Sequence, residues 1–182
     1  VLQALQADFP ASRWNLKTPQ HLWSFDALFA TYPDARVIWT HRDPRKVVPS
    51  VASLNMAFYR TFSRDPDPIA TGREWNRELA VGVERGMAFD AAAEDPKWCC
   101  HLQYEDLMRD PVAAVRRVYA HFGDELDPAQ EERIRTFLAQ RPQSAFGRHR
   151  YDATDFGLRP EAIDETFAAY RQRYNVPREV RD

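Results

Sequence analysis

Arg42 and Ser50, eight positions apart, form the first candidate site for an anionic ligand. Arg42 follows the apolar run from Arg36 to His41, and the next two residues, Asp43-Pro44, have the pattern of a helix start. A guanidinium at the carboxyl end of a buried strand, with a hydroxyl on the next helix, is suited to holding a phosphate. The structural alternative is an ion pair of Arg42 with Asp43 or Glu105 at the sheet edge.

Lys17 and His21 form a second group of candidates. Lys17 ends a short apolar segment, Trp14 to Lys17, that we interpret as a strand, so its side chain should reach the same sheet edge as Arg42. A lysine can neutralise charge on a departing phosphate, and a neutral histidine can accept a proton from an attacking hydroxyl. The alternatives are a solvated strand end for Lys17 and an ordinary surface role for His21.

A basic loop near the end of the chain contains Arg148, His149 and Arg150. We consider two interpretations of equal weight, a second cationic arm over a bound nucleotide and a solvated loop. The adjacent carboxylates Glu105 and Asp106 follow a predicted strand, where a structural role such as capping a turn is favoured over acid–base chemistry.

The pattern of elements predicts an α/β fold, a parallel sheet with flanking helices in a single domain. Contiguous apolar residues indicate three strands, 14–17, 36–41 and 98–103. Apolar residues at helical spacing, together with caps and prolines, indicate helices over 21–29, 43–59, 72–94, 110–123, 131–140 and 160–174. We expect a kink at Pro49 and a loop over 60–71.

Composition limits the classes of function. The net charge is −2 and the sequence pI is about 6.2, so no global positive field attracts nucleic acid. No apolar run approaches the length of a transmembrane helix, and no signal peptide is evident. The two cysteines, Cys99 and Cys100, are adjacent and lack metal-site spacing, so we expect buried thiols, no metal and a cytoplasmic location.

Several motifs in a fixed order resemble the sulfotransferases that use 3'-phosphoadenylyl sulfate, and the order is closer to the broad bacterial branch than to the mammalian cytosolic branch. The resemblance runs from about residue 14 to residue 174. Its motifs are Leu16-Lys17-Thr18-Pro19-Gln20-His21-Leu22, Tyr32-Pro33-Asp34-Ala35-Arg36-Val37-Ile38, His41-Arg42-Asp43-Pro44 with Ser50, Tyr104-Glu105-Asp106-Leu107, His149-Arg150-Tyr151 and Asp155-Phe156-Gly157-Leu158.

The resemblance implies a fold like that of P-loop nucleotide kinases. It also implies that Arg42 and Ser50 bind the 3'-phosphate of the donor, 3'-phosphoadenylyl sulfate, and that Lys17 assists sulfuryl transfer. In cytosolic relatives the catalytic base is the histidine of a Lys-Thr-His segment, but here Pro19 takes that position and His21 lies two residues later. The glycine-rich loop that cradles the 5'-phosphosulfate in this family is not found in the sequence, so we expect an N-terminally truncated, incomplete domain that does not turn over alone.

Two other functions remain open from the sequence. A phosphotransferase on the same fold would need a magnesium-binding aspartate after a strand, and no segment has that pattern. A non-catalytic binding domain would leave Lys17, His21 and Arg42 as surface charges. The acceptor is not specified by the sequence, and small-molecule, glycan, lipid and peptide acceptors all fit.

Overall fold

The computed structural model describes residues 2–140 and 151–179. Two strands and nine α-helices lie in these ranges, with short 3-10 helices at Pro19–Trp23 and Ala153–Phe156. The strands are β1 (Val37–His41) and β2 (Cys99–Gln103). The helices are α1 (Leu2–Asp8), α2 (Phe25–Thr31), α3 (Pro44–Phe62), α4 (Pro68–Ala92), α5 (Tyr104–Arg109), α6 (Pro111–His121), α7 (Pro128–Gln140), α8 (Pro160–Thr166) and α9 (Ala168–Tyr174).

The strands β1 and β2 pair in parallel, and their register sets His41 opposite Gln103 and Trp39 opposite His101. Two long helices, α3 and α4, connect them. This is the crossover arrangement that parallel pairing requires. The carboxyl ends of both strands therefore lie at one edge of the sheet, where β1 leads into Arg42 and β2 leads into Tyr104. The predicted α/β class with a parallel sheet is confirmed.

Four helices of the described residues begin with an Asp-Pro pair. The carboxylates of Asp43, Asp67, Asp110 and Asp127 accept hydrogen bonds from the first free backbone N–H groups of α3, α4, α6 and α7. The proline that follows each aspartate has no N–H group, and its fixed φ suits the first helical position. These pairs fix where each helix begins.

The long helix α4 passes close to aromatic side chains of the core, and glycines make the approach possible. A Cβ atom built on Gly82 would lie 2.7 Å from the ring of Trp23, and one built on Gly86 would lie 2.7 Å from the ring of Trp39. Any larger residue would push α4 away from β1 and from the 3-10 helix at Pro19–Trp23. The core beneath it includes Phe25, Trp39 and Trp98.

Several element predictions are corrected by the structure. The predicted strand 14–17 has no sheet pairing; it is extended, and Leu16 and Lys17 are exposed, so neither face is buried. The predicted helix 21–29 is divided into a 3-10 turn and α2, because Ser24 leaves the helical region at φ −152°. The predicted helix 160–174 is divided at Phe167, whose ring is buried.

The predicted loop over 60–71 is shorter in the structure. The helix α3 continues to Phe62, and α4 begins at Pro68 because Asp67 caps it. The helix α3 also continues through Pro49 without a break. No helix in the described ranges has an apolar stretch long enough to cross a bilayer.

Candidate functional site

Arg42 lies directly after β1, and its side chain is held on two sides. Its Nε and Nη2 atoms donate to the two carboxylate oxygens of Glu179, at 2.7 and 3.0 Å. Its guanidinium carbon lies 4.0 Å from the ring centroid of Tyr104, the residue that follows β2. The pKa of Arg42 is raised above its ordinary value, chiefly by the hydrogen bonds that it donates to Glu179. The side chain keeps 34% of its surface exposed, so the fork is accessible from solvent.

Asp43 connects the start of α3 to the C-terminal part of the chain. It is buried, with 1% of its surface exposed, and one oxygen accepts from the backbone N–H of Arg45 and from Nη1 of Arg171 at 3.1 Å. Its other oxygen accepts from the backbone N–H of Glu179 at 2.9 Å. The same aspartate therefore caps α3, pairs with α9 and positions the residue that engages Arg42.

A cluster of charges surrounds this position. Asp164 of α8 accepts hydrogen bonds from Arg45 at 2.8 and 2.5 Å and from Arg178 at 2.5 Å. The hydrogen bond from Arg45 is the largest influence that holds the pKa of Asp164 below its usual range. The cluster pairs the arginines Arg42, Arg45, Arg171 and Arg178 with the carboxylates Asp43, Asp164 and Glu179. Among these ion pairs the arginines outnumber the carboxylates by one, and displacement of Glu179 would leave further positive charge for an anionic ligand.

A series of buried and partly buried hydrogen bonds lies on the opposite side of the strand end. His41 Nε2 and His101 Nδ1 are 2.8 Å apart, and His101 Nε2 is 3.3 Å from Asp90 Oδ1. His41 Nδ1 is 3.1 Å from the hydroxyl of Tyr170. Burial, together with the charge of His101, lowers the pKa of His41 to about 3, so His41 is neutral at physiological pH.

The sequence did not indicate this series of hydrogen bonds. Successive residues of a strand point to opposite faces, and accordingly His41 is buried whereas Arg42 is partly exposed. The alternation of β1 marks His41 as an inward residue, whereas β2 is buried at Cys99, Cys100 and Leu102 and its pattern does not single out His101. Finding the contact required the register between β1 and β2, which the sequence does not state.

The other predicted site residues lie at three places. Ser50 is half-buried on the second turn of α3, in the same strand–helix unit as Arg42. Lys17 is exposed in the extended segment before the 3-10 helix, and His21 is half-buried within that helix, which packs on α4. Their convergence with Arg42 on one pocket stays a prediction. Arg148 and Arg150 lie outside the described residues.

One predicted contact is wrong. Of the two proposed ion-pair partners of Arg42, Glu105 lies in the first turn of α5 and Asp43 faces Arg45 and Arg171. The observed partner is Glu179, which is 137 positions away in the sequence. In the described part of the chain, no group of three or more histidine, cysteine, aspartate or glutamate residues has the arrangement of a metal site.

Comparison with known proteins decides the family of this chain. A family model described as "Sulfotransferase family" matches residues 1–128, which is more than half of the chain. The chain belongs to the sulfotransferase family. The sequence resemblance at Arg42 and Ser50 thus reflects membership in that family.

Solved structures of two sulfotransferases resemble this chain over most of its length. Sulfotransferase STF9 from Mycobacterium avium is 32% identical, with a TM-score of 0.85 over 99% of this chain and 46% of its own. Sulfotransferase STF1 from Mycobacterium tuberculosis H37Rv is 31% identical, with a TM-score of 0.68 over 86% of this chain and 40% of its own. The fold described above is therefore a sulfotransferase fold.

Curated relatives include the omega-hydroxy-beta-dihydromenaquinone-9 sulfotransferases Stf3 of Mycobacterium bovis and of Mycobacterium tuberculosis. Each is 29% identical over 168 residues, which is 90% of this chain. The chain spans 41% of the length of these relatives.

Proposed function

We propose that Arg42 and Ser50 bind the 3'-phosphate of 3'-phosphoadenylyl sulfate, and that the parent activity is sulfuryl transfer from this donor to a hydroxyl or amine. The observation that carries the proposal is the engagement of Arg42 by Glu179. The guanidinium of Arg42 already holds a planar anion, the carboxylate of Glu179, through two parallel hydrogen bonds. Arg42 does so at the carboxyl end of a parallel strand and at the start of a helix. A phosphate oxygen pair offers the same acceptors to that fork.

The surrounding charge supports a ligand of higher charge than a carboxylate. A phosphate monoester carries close to two negative charges at neutral pH, whereas Glu179 supplies one. Since the arginines of the cluster outnumber its carboxylates, replacing Glu179 by a phosphate would compensate the excess more fully. The dipole of α3, a helix of 19 residues that begins beside Arg42, adds to the attraction.

The proposed transfer needs positioning, charge neutralisation and removal of one proton. An acceptor oxygen or nitrogen attacks sulfur, the bond from sulfur to the bridging phosphate oxygen breaks, and adenosine 3',5'-bisphosphate leaves. We assign Lys17 to the charge that develops on the leaving oxygen and His21 to the proton released by the acceptor. Arg148 and Arg150 are assigned to the nucleotide as a second cationic arm. No covalent intermediate on the protein is required.

For the acceptor we propose a small molecule or a lipid that bears a hydroxyl group. The support is the name of the Stf3 relatives, which specifies a hydroxylated menaquinone derivative. An exposed apolar row on α3 fits the same class, because Leu54, Phe58 and Phe62 follow one another at helical spacing and are 55%, 57% and 88% exposed. We also propose a reducing, cytoplasmic compartment, which is supported by the free and buried thiols of Cys99 and Cys100.

The test is calorimetric titration with adenosine 3',5'-bisphosphate, the product that retains the 3'-phosphate. Arg42→Ala should weaken binding by about 2–3 kcal/mol, the scale of a lost charged hydrogen-bonding group, which corresponds to roughly 30–150-fold in the dissociation constant. Arg36→Ala is the matched control, because Arg36 precedes the same strand but pairs with Asp124 at the surface. Equal affinity in wild type and Arg42→Ala would refute the assignment.

A further inference from the structure

Tyr104 follows β2 as Arg42 follows β1, and the pairing of the two strands sets these residues side by side. The register places His41 opposite Gln103, so the next residue of each strand emerges at the same point of the sheet edge. There the guanidinium carbon of Arg42 lies 4.0 Å from the centroid of the Tyr104 ring. The contact therefore follows from strand register, and a slip of one residue would remove it.

The Tyr104 ring meets a face of the guanidinium group, not its hydrogen-bonding edge. The guanidinium carbon of Arg42 lies over the ring at 4.0 Å, close to the separation of about 3.5–4.0 Å at which carbon atoms make van der Waals contact. The two hydrogen bonds to Glu179 leave from Nε and Nη2, which lie in the plane of the group. Arg42 is thus held from two independent directions, by a ring against its face and by an acceptor in its plane.

These two contacts differ in what donor binding would do to them. In the proposed function the 3'-phosphate accepts the in-plane hydrogen bonds of Arg42, so the Glu179 carboxylate must give them up. A phosphate at the edge of the guanidinium group does not compete with a ring on its face. The contact with Tyr104 is therefore the one that persists while the anion at Arg42 changes.

The ring of Tyr104 supplies this contact, and its hydroxyl takes no part in it. The attraction joins a cation to the negative face of an aromatic ring, which phenylalanine offers as well. Within residues 2–140 and 151–179, the Tyr104 hydroxyl forms no hydrogen bond. A lysine in place of Arg42 would keep the charge but lose the planar face that stacks on the ring.

Holding Arg42 before a ligand arrives lowers the cost of binding that ligand. The Arg42 side chain keeps 34% of its surface exposed, so burial alone does not fix its rotamer. Ordering such a side chain during binding costs affinity, by roughly three- to tenfold in the dissociation constant. A ring that orders the guanidinium in advance removes part of this cost.

We infer that Tyr104 is a positioning residue: its ring holds the guanidinium of Arg42 in the orientation that receives an anion at Nε and Nη2. Where that anion is the 3'-phosphate of the donor, the inference rests on the proposed function. The stacking itself can be tested without any ligand. Tyr104 touches no reacting atom in this scheme and acts on the ligand only through Arg42.

The ligand-free test is the NMR chemical shift of the Arg42 Cδ protons, which the ring current of Tyr104 should move upfield. These protons are bonded to carbon and take no part in the hydrogen bonds of the guanidinium. Tyr104→Phe should keep the wild-type shift, and Tyr104→Leu should lose it. Tyr119→Leu is the matched control, because it removes a ring of α6 whose hydroxyl is bonded to Gln130, and it should leave the shift unchanged.

The Glu179→Ala variant asks which of the two contacts orients Arg42. The Cδ protons should stay upfield in this variant, because the ring holds the group without the in-plane acceptor. An unshifted Cδ resonance in wild type, or loss of the shift in Glu179→Ala, would overturn the inference, since the carboxylate and not the ring would then orient Arg42.

A double-mutant cycle with adenosine 3',5'-bisphosphate separates positioning from direct contact with the ligand. Tyr104→Leu should raise the dissociation constant by about three- to tenfold, and Tyr104→Phe should stay within about twofold of wild type. In an Arg42→Lys background, Tyr104→Leu should have no further effect, because the planar group that the ring holds is absent. A persistent effect in that background, or an equal loss in Tyr104→Phe, would show that Tyr104 contacts the ligand itself and would overturn the inference.

The two proposals fail in different ways. If wild type does not bind the bisphosphate while the chemical shifts agree with expectation, the proposed function fails and the stacking role of Tyr104 stands. If wild type binds and loses affinity in Arg42→Ala but not in Tyr104→Leu, the inference fails and the proposed function stands.

Discussion

Glu179 holds Arg42 through both carboxylate oxygens, at 2.7 and 3.0 Å, and its own backbone N–H donates to the buried carboxylate of Asp43. The residue that follows β1 is thus paired with a residue at the far end of the described chain. The carboxylate of Glu179 accepts the two hydrogen bonds that we assign to the 3'-phosphate of 3'-phosphoadenylyl sulfate. Donor binding and the Arg42–Glu179 pair therefore exclude each other.

Replacing Glu179 with glutamine should strengthen binding of adenosine 3',5'-bisphosphate. The amide keeps the size of the side chain but removes the charge that competes for Arg42, so less free energy is lost when phosphate displaces it. We expect the dissociation constant to fall by about two- to fivefold, because ion pairs that are partly exposed contribute about 1 kcal/mol or less. Isothermal titration calorimetry measures the difference.

The control for this prediction is Glu132→Gln, which removes an exposed carboxylate from α7 and changes the net charge equally. It should leave the affinity near that of wild type. Weaker binding by Glu179→Gln than by wild type would mean that Glu179 orients Arg42 for the ligand instead of competing with it.

Replacing Ser50 with alanine should weaken bisphosphate binding less than the loss of Arg42 does. A hydroxyl that donates to a charged phosphate contributes about 1.5 kcal/mol, or roughly tenfold in the dissociation constant. Ser53→Ala, three residues later on the same helix, is the matched control and should stay within twofold of wild type. If both serine variants bind alike, Ser50 has no part in the site.

Replacing Asp43 with alanine should destabilise the fold far more than the same change at Asp67. Both residues cap a helix before a proline, but Asp43 is buried and also pairs with Arg171, whereas Asp67 is exposed. We expect a loss of about 1 kcal/mol for Asp67→Ala, the cost of a cap. For Asp43→Ala we expect about 3–5 kcal/mol, because a largely buried arginine loses a partner. Urea unfolding measures both, and equal losses would contradict the role of the ion pair.

Stability should fall as the pH is lowered below about 6.5, and His41 should account for part of this slope. The pKa of His41 is lowered to about 3 by burial and by His101, although Asp90 opposes this shift. In the unfolded chain, His41 therefore binds a proton once the pH falls below its ordinary pKa of about 6.5. In the folded chain, His41 binds this proton only near pH 3. Within that window this single group contributes a slope of up to about 1.4 kcal/mol per pH unit.

The measurement is the free energy of unfolding between pH 4.5 and 7.5 in wild type and His41→Gln, taken in half-unit steps of pH. The His41→Gln variant should be less stable at pH 7, but its free energy of unfolding should depend less steeply on pH. The control is His21→Gln, which lies outside the hydrogen-bond series of His41 and should keep the wild-type slope. The groups that face His41 are His101, Asp90, Tyr170 and Tyr174, and all remain in the variant. An unchanged slope in His41→Gln would contradict the prediction.

Local rules were sufficient for the elements around Arg42. Contiguous apolar residues predicted β1 and β2 to within one residue at their amino ends, and the Asp-Pro pairs predicted the starts of α3 and α6. The same rule applies to Asp67-Pro68, where α4 begins, but our prediction placed the start of this helix at residue 72. The strand prediction for 14–17 failed because an apolar segment forms a strand only when a neighbour pairs with it.

The sequence alone determined that an arginine follows a buried strand, that a capped helix begins beside it, and that a family resemblance joins Arg42 to Ser50. Each of these is encoded within a few residues, by strand alternation, by cap chemistry or by an ordered set of motifs. Only the tertiary structure decided what contacts Arg42. The pairing with Glu179, the stacking on Tyr104 and the series from Tyr170 through His41 and His101 to Asp90 join residues that are distant in sequence. Such contacts depend on strand register and on how α9 packs against the sheet, and no local pattern specifies either.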